Sequence, residues 1–322
     1  FADYCNTKYA AATNSGTSSL HLAMQVLAVG KGDEVIIPAN TFIATAWGVS
    51  YTNATPVFVD CTADTWQIDA KKIEEKISPK TKAIIGVHLY GQPFDIDEVK
   101  KIANKHNLFF VEDAAQAHGS EYKKIRVGSL SDIACFSFYP GKNLGTYGEG
   151  GGITTNNEKY IKHVQSLRNH GTKVRYYHDE LGYNMRMGGI EAAVLSIKLK
   201  YLDKWNERRK QIAKMYRQGI SNPKIKMQYQ PDFADSVYHL FVITTDDRNK
   251  LTDHLNRQNI FPALHYPVPC HLQKAYSHLG YKKGDFPNSE YLAEHCLSLP
   301  MFAELTDKEV ERVIDVINEY TP

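Results

Sequence analysis

Six short apolar runs in the first half of the chain restrict its fold more than any other feature. Val35–Ile37, Val57–Val59, Ala83–Val87, Leu108–Val111, Ile133–Phe138 and Gly152–Thr155 are β-rich and nearly unbroken by charge. Between several of them lie stretches with apolar residues at helical spacing. Ser18–Val29 carries Leu20, Ala23, Met24 and Leu27, and Ala70–Ile77 and Ile96–His106 read as further helices. A strand that is apolar along its length is buried on both faces, and strands separated by helices are joined by parallel crossovers. The pattern therefore predicts an α/β fold with a mainly parallel sheet covered on both sides. Ligands of such sheets collect at the carboxyl ends of the strands.

The second half has a different rhythm. A long helix is predicted from Ile190 to Met215, broken near Trp205, with Leu195, Leu199 and Leu202 as its buried stripe. Its charge run Glu207-Arg208-Arg209-Lys210 reads as a solvated face. A smaller α+β unit follows, with a strand over Tyr238–Thr244 and helices over Lys250–Gln258 and Asp307–Glu319. The predicted organisation is a large domain over 1–200 and a small C-terminal domain over 201–322, and 322 residues suffice for two cores.

Several function classes are excluded. A net charge of +2 gives no polyanion footprint, so no nucleic-acid partner is expected. No apolar run is long enough to span a membrane. The five cysteines are scattered and form no CxxC pair, which predicts free thiols in a reducing cytoplasm. The 13 histidines form no HxxxH or HExxH, so no metal site is expected. Neither a G-x-S-x-G elbow nor a Walker loop occurs. The chain opens at Phe1-Ala2-Asp3-Tyr4, inside what reads as a helix and without an initiator Met. A segment preceding Phe1 is therefore expected.

Three elements suggest one chemistry. Phe136–Gly152, FSFYPGKNLGTYGEGGG, places Lys142 in a Gly-flanked loop after an apolar run. Phe109–Asp113 is a buried run ending in an acid, and Ser15-Gly16-Thr17-Ser18 opens a helix whose free N–H groups suit a phosphate. A lysine amine, a carboxylate and a phosphate cradle are what pyridoxal 5′-phosphate (PLP) requires: a Schiff-base partner, a counter-ion for the pyridine nitrogen, and an anchor. Asp113 is equally a favoured helix cap, and Ser15 an ordinary one. Small residues after Asp113 would let a ring approach the backbone, and Gln116 could bond its hydroxyl. Gly148-Glu149-Gly150-Gly151-Gly152 leads into a strand, not a helix, so it is no dinucleotide loop; its glycines permit turns or close approach.

In order, Asn14–Thr17, Pro38–Thr45, His88–Pro93, Glu112–Gly119, the lysine block and Gly182–Met187 resemble the DegT/DnrJ/EryC1/StrS family of PLP-dependent sugar aminotransferases, along essentially the whole chain. The resemblance implies a fold-type I, aspartate aminotransferase-like architecture. It implies that Lys142 forms the Schiff base, Asp113 pairs with the ring nitrogen, Gln116 lies near the ring hydroxyl and Phe42 stacks on the ring. It assigns the phosphate to Gly16, Thr17 and Ser137, and to Asn184 from the neighbouring subunit of a homodimer. His265-Tyr266-Pro267-Val268-Pro269 with His271, and Tyr176–Tyr183, resemble the 3-aminotransferases of dTDP-linked 3-keto-6-deoxyhexoses, with glutamate as amino donor. Lys173, His265, Tyr266 and His271 are then expected to contact the nucleotide sugar, and the product to enter deoxyamino-sugar biosynthesis for lipopolysaccharide or S-layer glycan. A 4-keto-sugar aminotransferase of the same family and a PLP-binding regulator without turnover are the competing expectations.

Overall fold

The computed structural model describes residues 1–321. Its centre is a seven-stranded sheet. The strands are β1 (Tyr9–Thr13), β2 (Glu34–Pro38), β3 (Thr55–Val59), β4 (Thr81–Val87), β5 (Phe109–Asp113), β6 (Ile133–Ser137) and β7 (Gly151–Thr155). Their order is β1-β7-β6-β5-β4-β2-β3. The five strands from β6 to β3 run parallel, and β7 runs antiparallel to both β6 and β1. The side chains of Val35, Ile36, Ile37, Ala83, Ile84 and Ile85 are all fully buried, as expected of strands covered on both faces. All six predicted strands are present. β1 was not foreseen: its YAAAT has little β-propensity, and pairing with the Gly-rich β7 overrides it.

Helices α1 (Gly16–Val26), α2 (Ile43–Ser50), α3 (Ile96–Lys105) and α4 (Glu158–Leu167) cover this sheet. Ala70–Ile77 is not an α-helix but two 3₁₀ turns, Ala70–Lys72 and Glu74–Lys76, with Ile73 between them fully buried. One deep anchor is too little to hold an amphipathic helix against a core. Nor is Phe1–Tyr4 helical: it forms turns in which the Phe1 ring packs edge-on to Phe136 and Phe138, at 4.9 and 5.2 Å between centroids.

The long helix is α5 (Gly189–Lys198), a 3₁₀ turn (Leu199–Tyr201) and α6 (Leu202–Gly219). The break precedes Trp205, which instead stacks on Tyr201 within the helical path at 5.9 Å. The predicted boundary at residue 200 falls in this turn. Beyond it α6 packs with α7 (Arg248–Arg257), α9 (Asp307–Glu319) and a three-stranded sheet, β8 (Lys226–Met227), β9 (Phe241–Thr244) and β10 (Cys296–Leu299). Ile212, Tyr216, Phe241, Leu251, Val313 and Ile317 lie in its core. Part of the C-terminal half returns to the first unit: Cys270, Tyr276 and Phe286 join the core around Phe58 and Val35, just before α8 (Pro287–His295).

The charge run on α6 is not uniformly solvated. Arg209 is buried, and its Nη1 donates to the carbonyls of Tyr238, His239 and Met301 at 3.2, 3.3 and 3.0 Å. Carbonyls that no ladder satisfies need a donor, and a guanidinium supplies several.

Candidate active site

The carboxyl ends of β4, β5 and β6 border a cavity of about 560 Å³. Lys142, Asp113, Gly16, Thr17, Phe42, Gln116, Ser137, His265 and Tyr266 all line it. Nine of the sequence-predicted residues, from segments far apart in the chain, thus meet in one place.

Asp113 closes β5 and is buried. Its Oδ2 accepts from Thr45 Oγ1 at 2.8 Å and its Oδ1 from the Ala115 amide at 3.1 Å. Burial pushes its pKa up, opposed by these two donors and by the Lys142 charge. A carboxylate left underpaired by burial favours a cation beside it. No helix follows Asp113, so capping does not account for it. Glu112 points to the opposite face of the sheet, as strand alternation requires. It is fully buried and accepts from His88 Nε2 (3.1 Å), the amides of Gly128 (3.0 Å) and Leu130 (3.2 Å), and Ser131 Oγ (2.7 Å). Burial alone would raise its pKa, yet the donors, His88 foremost, hold it below the ordinary value. Glu112 is therefore structural where Asp113 faces the cavity.

Lys142 sits in the loop between β6 and β7, with its amide on the Tyr139 carbonyl at 2.9 Å. Burial lowers its pKa to about 8, and Asp113 works in the other direction. An amine near 8 has an appreciable neutral, nucleophilic fraction at physiological pH.

The phosphate cradle is built by close approach. Ser15 Oγ caps α1 by accepting from the Ser18 amide at 3.1 Å, leaving the Gly16 and Thr17 amides without an acceptor inside the helix. A Cβ on Gly16 would lie 2.7 Å from Ser137 Cβ, so only glycine lets the turn meet the end of β6. A Cβ on Gly151 would collide with the Ser15 carbonyl. The glycines after the lysine loop thus hold β7 against the cradle.

Gln116 is oriented by its neighbours. The Tyr90 amide donates to its Oε1 at 2.6 Å, so its amide nitrogen faces Tyr266 Oη at 2.9 Å and keeps one N–H for the cavity. Burial raises the Tyr266 hydroxyl pKa, keeping it a donor. The Phe42 ring stands 5.4 Å from that of Tyr266. A carboxylate wanting a cation, an amine near 8, an aromatic wall and two free amides at a helix N-terminus match PLP part for part.

Three predicted residues lie elsewhere. His271 is buried, its Nε2 on Glu290 Oε1 at 3.0 Å and its ring 4.6 Å from Phe286; it belongs to the core rather than the cavity wall. Its place among prolines misled the sequence reading. Lys173 is exposed on the hairpin Thr172–Val174/Tyr177–His178 and pairs with Asp179 at 3.3 Å, outside this chain's cavity. Asn184 is exposed and outside it too, bridged through its backbone to Asn169. Sequence reasoning also missed Thr45, Trp47, Glu149 and His239, which sit in or against the site. Only the i, i+4 spacing of Thr41 and Thr45 could have pointed to the first.

The profile of the DegT/DnrJ/EryC1/StrS aminotransferase family matches residues 1–318. The chain belongs to this family. It is a PLP-dependent aminotransferase. It is 46% identical over 320 residues to the dTDP-3-amino-3,6-dideoxy-alpha-D-galactopyranose transaminase of Aneurinibacillus thermoaerophilus, covering 99% of this chain and 88% of that one. It is 43% identical over 321 residues to the dTDP-3-amino-3,4,6-trideoxy-alpha-D-glucose transaminase of Streptomyces venezuelae, covering 99% and 85%. The crystal structure of S. venezuelae DesV in complex with a ketimine intermediate superposes with a TM-score of 0.97 at 43% identity, covering 99% and 86%. No helix among the described residues of the aminotransferase is long and apolar enough to cross a membrane.

Proposed function

We propose that the enzyme moves the amino group of glutamate to C3 of a dTDP-linked 3-keto-6-deoxyhexose, giving 2-oxoglutarate and the 3-amino sugar. The observation that carries this reading is the 46% and 43% identity to two transaminases of dTDP-linked 3-amino sugars. The cofactor, when bound, supplies an electron sink for the carbon that loses its proton. The rest falls to the protein. The Gly16 and Thr17 amides and the Ser137 hydroxyl bind the phosphate. Asp113 holds the ring nitrogen protonated, and Gln116 donates its spare N–H to the ring hydroxyl. Phe42 packs on the ring face. With the cofactor bound, the Lys142 amine would be the base and acid that takes and returns a proton at the substrate carbon. His265 and Tyr266 face the sugar.

The active unit of this reading is a homodimer in which Asn184 completes the partner's phosphate site and Lys173 offers its charge to the pyrophosphate. It is supported by the exposure of Val174, Tyr176, Tyr177 and Leu181 around one hairpin, which is 62–96% per residue. Location in the cytoplasm is supported by five buried, free cysteines. We place the product in deoxyamino-sugar synthesis, leading to lipopolysaccharide or S-layer glycan. The test is a screen of dTDP- and UDP-linked 3-keto and 4-keto sugars with glutamate, with the product read by NMR. An amine at C3 of a dTDP sugar is expected; an amine at C4 would overturn the assignment.

A further inference from the structure

His239 lines the same cavity as Lys142. It lies between α6 and β9, and its backbone is fixed by Arg209, which donates to its carbonyl at 3.3 Å. Its ring is fixed by a relay that begins at two backbone carbonyls. The His118 carbonyl can only accept, so Asn206 donates to it through Nδ2, at 2.7 Å. Asn206 Oδ1 therefore accepts from Asn143 Nδ2 at 2.9 Å, and that same nitrogen donates to the Val237 carbonyl at 3.0 Å. Asn143 Oδ1 is thereby left as an acceptor. The His239 Nδ1 that lies 3.2 Å from it must carry the proton. Burial disfavours a second proton on this ring. Nε2 is thus a bare lone pair, and it has no protein partner among the described residues.

We infer that His239 Nε2 is a specificity-determining acceptor for a ring hydroxyl next to the reacting carbon of the sugar. Glutamate cannot use it: apart from the amine that reacts, glutamate presents only carboxylates, which accept and do not donate. A hydroxyl can donate to it, and a site built to receive a hydroxyl discriminates strongly against the analogue that lacks it. The chain sequence Asn206–Asn143–His239 also joins this acceptor to the residue next to Lys142, which keeps it in register with the reacting amine. The inference rests on the proposed sugar-nucleotide reading.

The two half-reactions separate the possibilities, because each can be followed by cofactor absorbance in a single turnover of the PLP-loaded enzyme. With glutamate, His239→Phe should match the wild type within about twofold. With a dTDP-linked 3-amino-6-deoxyhexose as donor, it should lose about tenfold to a hundredfold in rate constant over half-saturation concentration. His239→Gln, whose Oε1 can stand where Nε2 stood, should recover most of the loss. Binding without chemistry gives a second readout. Calorimetry of the same amino sugar with the pyridoxamine-phosphate form should show a comparable fall in affinity for the Phe variant. In the wild type, one of the 2-deoxy and 4-deoxy analogues should reproduce the loss, and the Phe variant should be indifferent to that deletion. Equal slowing of both half-reactions would overturn the inference, assigning His239 to Lys142 or to the fold, and so would two unchanged half-reactions. A wild type that reacts with glutamate but with no dTDP sugar would instead defeat the substrate reading, and the comparison would pass to the sugar nucleotide found in the screen.

Discussion

Thr45 donates to Asp113 across 2.8 Å, and Thr41 stands behind it at 2.9 Å from the Thr45 hydroxyl. With its one proton committed to the carboxylate, Thr45 must accept from Thr41. The Thr45 hydroxyl, backed by that of Thr41 just before α2, thus opposes the upward push of burial on the Asp113 pKa. Thr45→Val should let the Asp113 pKa rise further and weaken its pairing with the ring nitrogen. About 1.5–3 kcal/mol is at stake for a bond to a charged group. Turnover should fall roughly tenfold to a hundredfold and PLP should dissociate more readily, as measured by kcat and by spectrophotometric titration of apoprotein.

Lys142 sets the pH dependence of cofactor loading. Only the neutral amine attacks an aldehyde, and burial brings its pKa down to about 8. The rate of PLP uptake by apoprotein should rise with pH, with its midpoint near 8 rather than near the ordinary 10.5. Asp113 raises the Lys142 value, so Asp113→Asn should move the midpoint to lower pH. Stopped-flow absorbance from neutral to alkaline pH checks both; a midpoint that moved upward in the variant would contradict the assigned cause.

Gly151 is not among the residues that line the cavity, yet Gly151→Ala should impair phosphate binding, because its Cβ would collide with the Ser15 carbonyl. The turn can relieve this only by moving away from Ser137. PLP affinity should drop at least tenfold, while pyridoxal without its phosphate should bind as before. Gly150→Ala should be milder, because its Cβ would meet only side-chain atoms, Met187 Cε and Thr146 Cγ2 at 3.1 Å and Phe138 Cβ at 3.2 Å, and no backbone carbonyl.

Glu112→Gln should destabilise the fold without emptying the site. The new amide would face donors at Leu130 and Ser131, and one buried mismatch of this kind costs about 2–4 kcal/mol in urea unfolding. The Glu112 pKa is depressed in the folded state. Its contribution is therefore complete above the ordinary value of 4.5 and fades as pH falls through the lower folded value, so wild type and variant should converge in acid.

If Asn184 serves the partner's site, Lys142→Ala and Asn184→Ala should each be inactive or nearly so, and co-refolding them should restore activity. Random pairing makes half the dimers mixed, each with one intact site, so about a quarter of wild-type activity should return. No recovery would place Asn184 outside the partner's site.

The site was legible in sequence wherever a residue sits at the end of an apolar strand. Asp113 and Ser137 end β5 and β6, and Lys142 follows in the next loop, so periodicity alone directs all three to one edge. Residues that arrive through the second half of the chain were not legible. His239 enters from a segment held by Arg209, and the exposure of an arginine inside a charge run cannot be read from its neighbours. His271 failed for the converse reason. A histidine in a polar, Pro-rich stretch looks available, but its partner Glu290 lies on the following helix and draws it into the core.

β1 pairs with β7 from Tyr9 opposite Thr155 to Thr13 opposite Gly151. A ribosome therefore delivers the phosphate turn long before the strand that braces it. During synthesis α1 must wait, its capping turn unsupported, until the segment through Thr155 has emerged. Such long-range closure is slow compared with local helix formation. Cofactor capture is then confined to chains that have completed this edge of the sheet, and PLP supplied during translation should leave shorter, arrested chains unlabelled.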